Sequence, residues 1–244
     1  MLVVFAVSLT CTAVLVSGAL GMWGGSQRSD ALTTGSRHPG PGRTAAGGTY
    51  AFIATEPRSD DPVAYSPCKP IHVVVNGRTA VDGSTSIVKE ALASISKASG
   101  LRFIVDGPTT EKPSKDRKPS IGIYGKGWAP VLLAWSDPKE MPKLAGSVAG
   151  FGGSTPAEKD GHWGYVSGAV ILDGRQLARL KESPEGRAGV RAVVMHEFGH
   201  VVGLGHVNAA GELMRPKGSA RITSWGPGDR VGLAALGSGR CISY

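Results

Sequence analysis

Apolar and polar positions between residues 71 and 105 follow two periods that predict three elements. The apolar run 71–75 ends in an Asn-Gly pair, which is typical of a β-strand followed by a turn. Residues 84–98 carry apolar side chains at intervals of three and four, which predicts an amphipathic helix that Gly100 ends. Those positions are Ile87, Val88, Ala91, Leu92 and Ile95. A strand at 101–105 follows, so the order predicts a right-handed crossover between two parallel strands.

The second half of the chain continues with short strands and then with helices. Residues 120–124 and 131–135 have strand character, 145–153 is rich in small residues, and 165–172 is a longer apolar run. A short helix is predicted at 176–182 and a long one at 186–202, whose core-facing stripe is Val190, Val194, Phe198 and Val201. Pro227 suits the first turn of a last helix that Gly237 ends. The charged, proline-containing loop 109–119 is expected to be solvated.

The N-terminus differs from the rest in composition. Residues 1–27 contain no charged side chain, and the apolar run 2–22 approaches the roughly 20 residues that span a bilayer. Small residues at 17–19 would permit cleavage of a signal peptide. A signal peptide and an uncleaved membrane anchor therefore both fit residues 1–25. Either one predicts an extracytoplasmic protein, secreted or anchored to the outer face of the membrane.

Residues 26–64 are rich in Gly, Ser, Thr, Pro and Arg and contain few large apolar side chains. Such a segment buries too little surface to offset its chain entropy, so it is interpreted as a linker. An inhibitory propeptide is the alternative, although the segment lacks the helical periodicity of a folded prodomain. The folded domain is expected to span 65–244.

The formal net charge is +8 and the sequence pI is about 9.6, so a nucleic-acid partner has to be considered. The basic residues are scattered and no nucleic-acid recognition motif is present, which argues against that partner. A membrane partner is expected only through the N-terminal segment. The protein is expected to be a monomer.

The strongest chemical signal is the motif H-E-x-x-H-x-x-G-x-x-H, which begins at His196. On a helix His196 and His200 lie one turn apart on the same face, with Glu197 beside them. Gly203 permits the backbone to leave the helix, so that His206 returns to the same ion. Three imidazoles leave the fourth position of one tetrahedral Zn²⁺ open for water, as in a catalytic site. Glu197 can then act as the general base.

Chance placement of three structural histidines is the alternative to a metal site. The added glycine and third histidine make a chance match rare, at roughly the per-cent level for H-E-x-x-H alone and far below that for the whole motif. The other histidines, His38, His72 and His162, have no metal-ligand spacing. They are interpreted as linker, strand and loop residues.

The motif, followed by the turn Leu213-Met214-Arg215-Pro216, resembles the metzincin clan of zinc endopeptidases, and its short spacing is similar to that of matrixins. The resemblance implies an α+β fold with a twisted, mostly parallel mixed sheet, an antiparallel edge strand, an active-site helix and a C-terminal helix. It places the substrate-binding edge near 148–152 and the inner strand at 165–172. It also implies a structural role for Met214 beneath the zinc.

Two positions depart from the named subfamilies. Val207 follows the third histidine, where a matrixin usually carries serine. Pro216 occupies the place of the zinc-binding tyrosine of astacins and serralysins, so three protein ligands are expected. By the same resemblance Arg221, Ile222 and Trp225 would line the S1′ pocket, although a purely structural role for Trp225 is equally open.

Two readings are open for Cys68. It resembles, faintly, the matrixin cysteine switch, in which a propeptide thiolate occupies the open zinc position. Outside the apolar N-terminal run the chain has one other cysteine, Cys241, and two cysteines in an oxidising compartment are most economically a disulfide.

The sequence thus predicts a zinc metalloendopeptidase, whose expected partner is a protein or peptide substrate. A zinc hydrolase of non-peptide amide bonds in cell-envelope material would use the same residues. A non-catalytic zinc-binding extracellular domain would be expected to have lost Glu197 or a ligand, and neither is lost. A structural Ca²⁺ ion has no support in the sequence.

Overall fold

A mixed β-sheet forms the centre of the computed structural model, which describes residues 12–15, 42–45, 47–217 and 221–244. Six strands belong to this sheet: β1 (Thr12–Leu15), β4 (Ile71–Asn76), β5 (Phe103–Pro108), β6 (Val131–Ser136), β7 (Val148–Lys159) and β8 (His162–Asp173). A separate hairpin contains β2 (Arg43–Ala45) and β3 (Gly48–Tyr50). In the central sheet the order is β1-β7-β8-β6-β4-β5.

Four neighbouring strands of this sheet, β5, β4, β6 and β8, are parallel to one another, while β7 runs antiparallel to β8. The α+β fold with a mostly parallel mixed sheet is therefore confirmed. The edge and inner strands inferred from the family resemblance correspond to the first part of β7 and to β8. Strand β1 pairs antiparallel with the outer edge of β7.

The described part of the chain also contains four α-helices: α1 (Ser84–Ser99), α2 (Gly174–Lys181), α3 (Gly186–Val202) and α4 (Pro227–Gly237). The apolar stripe of α1 is buried as its periodicity predicts, and Gly100 ends the helix at φ +79°. Helices α1 and α3 pack against each other on one face of the sheet. A second apolar cluster, which includes Leu132, Phe151 and Ile171, covers the other face. The sheet is therefore buried on both sides around β6 and β8.

One strand predicted from sequence is absent. Within residues 120–124 the structure has a 3₁₀ turn at Gly122–Tyr124, and Gly125 follows at φ +80°. The Tyr124 hydroxyl bonds with the Thr109 hydroxyl at 2.8 Å and donates to the Glu111 carboxylate at 2.7 Å. These contacts hold the segment as a turn beside the loop that precedes it, although its residue types favour a strand.

The loop between β5 and β6 contains a buried ion pair between Arg117 and Glu111. The expectation that this loop is solvated is therefore wrong for these two residues. The Arg117 side chain is 4% exposed and that of Glu111 9%. All five guanidinium N–H groups donate: two to Glu111, and one each to the Ser167 hydroxyl and to the carbonyls of Gly168 and Pro130. Arg117 therefore fastens the loop to β8.

Part of the segment interpreted as a linker belongs to the folded domain. Residues 48–53, here called the N-terminal strap, lie against α4 and the turn after α3, and Ala51 and Phe52 are 4% and 2% exposed. Val63 is completely buried. Because only isolated apolar residues anchor this segment, its composition gave no periodic signal of folding.

The membrane anchor predicted from the apolar run 2–22 is wrong. Residues 12–15 of that run form strand β1 and pair with β7. Among the described residues no helix has the length and apolar character needed to cross a membrane. The remainder of the run, its small residues at 17–19 and Cys11 lie outside the described residues. The extracytoplasmic location that rested on this segment is not retained.

Cys68 and Cys241 form a disulfide bond, with their Cα atoms 5.3 Å apart. The bond joins the chain just before β4 to the chain just after α4, across 173 residues of sequence. Because the Cys68 sulfur is engaged in this bond, it is not available as a metal-binding thiolate.

We predict that Arg117→Leu will lower the free energy of unfolding by about 3–5 kcal/mol, because it leaves the Glu111 carboxylate buried without its partner. The double variant Arg117→Leu, Glu111→Leu should regain a large part of that loss. Urea denaturation of the three proteins measures this difference. Equal destabilisation of the single and double variants would show that the unpaired charge is not the cause.

Candidate active site

Helix α3 carries three residues of the motif in its last two turns. His196, Glu197 and His200 are 3%, 0% and 0% exposed. The helix ends at Val202, and Gly203 adopts φ +123° while its N–H donates to the carbonyls of Gly199 and His200. A side chain at this φ would be strained, so glycine permits the turn that brings His206 back towards the helix.

The three imidazoles converge on one point. The Nε2 atoms of His196 and His206 are 3.0 Å apart, and each lies 3.1 Å from Nε2 of His200. A tetrahedral ion with Zn–N bonds of 2.0–2.1 Å requires ligand nitrogens roughly 3.3 Å apart, so the triangle fits zinc closely. Within the described ranges no other cluster of three His, Cys, Asp or Glu side chains is arranged to hold a metal ion, and calcium remains unsupported.

Backbone carbonyls orient two of these rings. Nδ1 of His196 lies 2.8 Å from the Leu213 carbonyl oxygen, and Nδ1 of His200 lies 2.8 Å from that of Leu204. A carbonyl only accepts, so both rings carry their proton on Nδ1 and direct the Nε2 lone pair into the triangle. Lone pairs that face each other at this distance repel unless a cation lies between them. This donor set therefore fits a metal ion better than it fits a network of hydrogen bonds.

Burial also keeps the three rings uncharged. It lowers the pKa of His200 to about 4, and it lowers the pKa of His196 and of His206 well below the ordinary value. The neighbouring imidazoles add to the effect at His196 and His206. Neutral imidazole is the form that binds a metal.

Glu197 follows His196 in the sequence, and its side chain is completely buried. Neither of its carboxylate oxygens forms a well-aligned hydrogen bond among the described residues, although the Gly152 N–H lies close enough to interact with the carboxylate. Burial raises its pKa well above the ordinary value, and the nearby Gly152 N–H only partly opposes that rise. A buried carboxyl group without a partner is costly unless water or a ligand completes its contacts. The group is consequently suited to accept a proton from a bound water.

Two glycines of β7 allow the edge strand to lie against α3 at Glu197. A Cβ atom on Gly150 would lie 3.2 Å from Cγ of Glu197, and one on Gly152 would lie 2.2 Å from the Glu197 carbonyl oxygen. The sequence showed only a small-residue stretch here. Its function, to bring the strand within contact of the helix backbone, follows from the packing.

The turn after the third histidine packs beneath the same helix. Met214 lies so close to Gly199 that a Cβ there would be 2.7 Å from the methionine sulfur. The Met214 carbonyl accepts from the Val207 N–H at 3.0 Å, and the Val207 side chain is buried. An apolar residue at position 207 therefore suits its surroundings in this chain.

The three residues assigned to the S1′ pocket occupy different environments. Trp225 is 4% exposed and its ring lies beside Gly199 in the core. Ile222 is partly buried against the same core, and Arg221 is exposed, close enough to Glu185 to help lower the pKa of that carboxyl. The pocket assignment stays a prediction for Arg221 and Ile222, while the burial of Trp225 favours packing.

The other histidines do not join the site. His72 forms an exposed pair with Asp106 at 2.9 Å, and His162 begins β8. His38 lies outside the described residues.

The N-terminal strap supports the turn that accepts from His200. The Ile53 N–H donates to the Gly203 carbonyl at 2.9 Å, the Gly205 N–H donates to the Ala51 carbonyl at 2.8 Å, and Phe52 is bridged to Leu204. The sequence shows no sign of this role, because the contacts join segments about 150 residues apart.

We predict that Gly152→Ala will lower the free energy of unfolding by about 1–3 kcal/mol, because its methyl group would overlap the backbone of α3. Gly122→Ala is the matched control, since a Cβ there would meet no atom within 4 Å. Its effect should stay within about 0.5 kcal/mol. Chemical denaturation compares the two, and similar values would contradict the close approach of β7 to α3.

The region of the chain that contains this site matches the model of a known protein family. Residues 139–225 match the model of the peptidase M10 family, matrixin, and this span includes β7, β8, α3 and the Met214 turn. No curated protein matches the chain. A solved structure, archaemetzincin from Methanopyrus kandleri, is 17% identical and superimposes with a TM-score of 0.42, covering 68% of this chain and 95% of that one.

The family match covers the residues that build the site, including the complete histidine motif. The part of the chain that carries the three histidines and Glu197 is therefore matrixin-like, and matrixins are zinc metallopeptidases.

Proposed function

We propose that this protein is a zinc-dependent endopeptidase that hydrolyses peptide bonds with water, using Glu197 as the general base. The observation that carries the proposal is a fully buried Glu197 carboxyl group without a well-aligned hydrogen bond among the described residues, one residue after the first of three converging imidazoles. The family supports zinc metallopeptidase activity in general. The identity of the base and the endopeptidase specificity go beyond that support.

His196, His200 and His206 would hold the ion through Nε2. When bound there, zinc supplies Lewis acidity and lowers the pKa of a coordinated water to near 7. The chain's contribution is to present three neutral nitrogens in a fixed triangle, two of them oriented by the carbonyls of Leu213 and Leu204.

Glu197 performs the proton transfers. A carboxylate whose pKa is raised by burial is a stronger base than an exposed one, so it can accept a proton from the attacking water. The same oxygen then carries the proton to the nitrogen of the departing amine as the C–N bond breaks. Hydrolysis proceeds in this way without a covalent bond between the enzyme and the acyl group.

The outer edge of β7 is the surface on which an extended substrate would bind. Strand β1 supports this assignment, because Thr12 pairs antiparallel with Gly152 and Val14 with Gly150, next to Glu197. A peptide that took the place of β1 would exchange backbone hydrogen bonds with β7 by strand addition. Such pairing favours a peptide over a non-peptide amide, which lacks a repeating backbone to pair.

The intact base also distinguishes this reading from a non-catalytic binding domain. Such a domain would have no use for a buried carboxyl group without a partner, since its burial costs folding free energy. The proposed partner is accordingly a protein or peptide substrate.

We expect Glu197→Gln to lower peptide cleavage by about 10²–10⁴-fold while zinc stays bound, because the amide cannot accept the proton and is not a ligand. Cleavage of a peptide library and the zinc content of the purified protein are the two measurements. His200→Ala is the companion variant and should lose the metal. Near-normal turnover by zinc-loaded Glu197→Gln would exclude Glu197 as the base.

A further inference from the structure

Two buried carboxylates, Glu212 and Asp229, lie at the start of α4 and are 2% and 1% exposed. Neither belongs to the histidine motif. Among the described residues each accepts hydrogen bonds only from backbone N–H groups, but the two serve different segments of the chain. Buried carboxylates are costly to hold, so the segments that each one joins indicate its role.

Glu212 joins the N-terminal strap to α4. It accepts from the Thr49 N–H at 3.3 Å, from the Gly228 N–H at 3.0 Å and from the Asp229 N–H at 2.9 Å. These donors belong to the strap and to the first turn of the helix. Its carboxylate contacts neither the Leu213 nor the Met214 amide.

Asp229 instead holds the turn that supports the first histidine. It accepts from the Gly226 N–H at 2.9 Å, from the Leu213 N–H at 2.5 Å and from the Met214 N–H at 3.4 Å. Both peptide units that flank Leu213 are thereby bound to one side chain, 15 and 16 residues further along the chain.

The second of these peptide units connects Asp229 to His196. Its N–H, that of Met214, points to Asp229, and its carbonyl, that of Leu213, accepts from Nδ1 of His196 at 2.8 Å. A carboxylate at the N–H end polarises the peptide and strengthens its carbonyl as an acceptor. The arrangement is a carboxylate–histidine pair with a peptide group between the two partners. In metal sites, a direct pair of this kind fixes the ring and raises its basicity.

We propose that Asp229 is a positioning residue for His196, acting through the Leu213–Met214 peptide to set the ring's orientation towards the metal. The inference rests on the metal-binding part of the proposed function. It does not depend on which bond the enzyme cleaves. Burial raises the pKa of Asp229 to about 6, and the charge of Glu212 adds to the rise. The three backbone N–H groups oppose this rise, because they stabilise the ionised carboxylate.

The test is the zinc affinity of the full chain carrying Asp229→Asn, measured by competition with a chromophoric chelator. We expect zinc to bind about 10- to 100-fold more weakly, as for loss of an outer-shell partner of a ligating histidine. The absorption spectrum of the cobalt-substituted protein should change as well, because the geometry at the ion is altered. Melting temperatures of the metal-free proteins measure the purely structural effect separately.

Asp173→Asn is the matched control. Asp173 is also buried, at 2% exposure, and accepts from the Arg175 and Gln176 amides at the start of α2. Its replacement should lower the melting temperature of the metal-free protein but change zinc affinity by less than about threefold.

Unchanged zinc affinity and an unchanged cobalt spectrum in Asp229→Asn would overturn the inference, whatever happens to the melting temperature. Equal losses of affinity in Asp173→Asn would do the same. If Asp229→Asn does not fold, Asp229→Glu retains the charge but moves the carboxylate by one methylene, and the same comparison decides. A wild-type protein that binds zinc but cleaves no peptide would reject the proposed function and leave this inference standing.

Discussion

The candidate metal site depends on the convergence of three imidazole nitrogens, whose Nε2 atoms lie 3.0–3.1 Å from one another. Neutral nitrogens in this arrangement repel, so the site is built by forces from outside it. Helix α3 supplies two rings at fixed spacing, and the turn at Gly203 returns the third. The carbonyls of Leu213 and Leu204 determine which nitrogen of His196 and of His200 carries the proton. A cation converts this repulsion into binding, which is why the chemistry of the donor set indicates a metal.

The supporting peptides are themselves held by distant parts of the chain. The N-terminal strap pairs with the turn that contains Leu204, and Asp229 of α4 binds the amides on either side of Leu213. Burial shifts the pKa values of the basic and acidic side chains at the candidate site in opposite directions. It lowers the pKa of the three histidines, which keeps them ready to bind a metal, and it raises the pKa of Glu197, which makes that carboxylate a stronger base. Both follow from the cost of placing charge in a medium of low polarity.

Local spacing was sufficient to predict much of this molecule. The helix at 84–99, the strand order around it and the histidine triad depend on intervals of three, four and ten residues, which are visible in a single sequence. Other features depend on contacts that have no local pattern. In the sequence Arg117 belongs to a charged loop, and its contacts with β8 exist only in the folded structure. Asp229 reads as an ordinary acidic residue in the first turn of a helix. The apolar run 2–22 was long enough to suggest a membrane segment, yet residues 12–15 complete a sheet edge.

The central claim is that this triangle of nitrogens holds one zinc ion with one position open. X-ray absorption at the zinc edge of the purified, zinc-loaded protein tests it most directly. The account predicts one zinc per chain with three imidazole nitrogens at about 2.0–2.1 Å and one oxygen from water. A sulfur ligand at about 2.3 Å, or zinc bound without imidazole scattering, would contradict it.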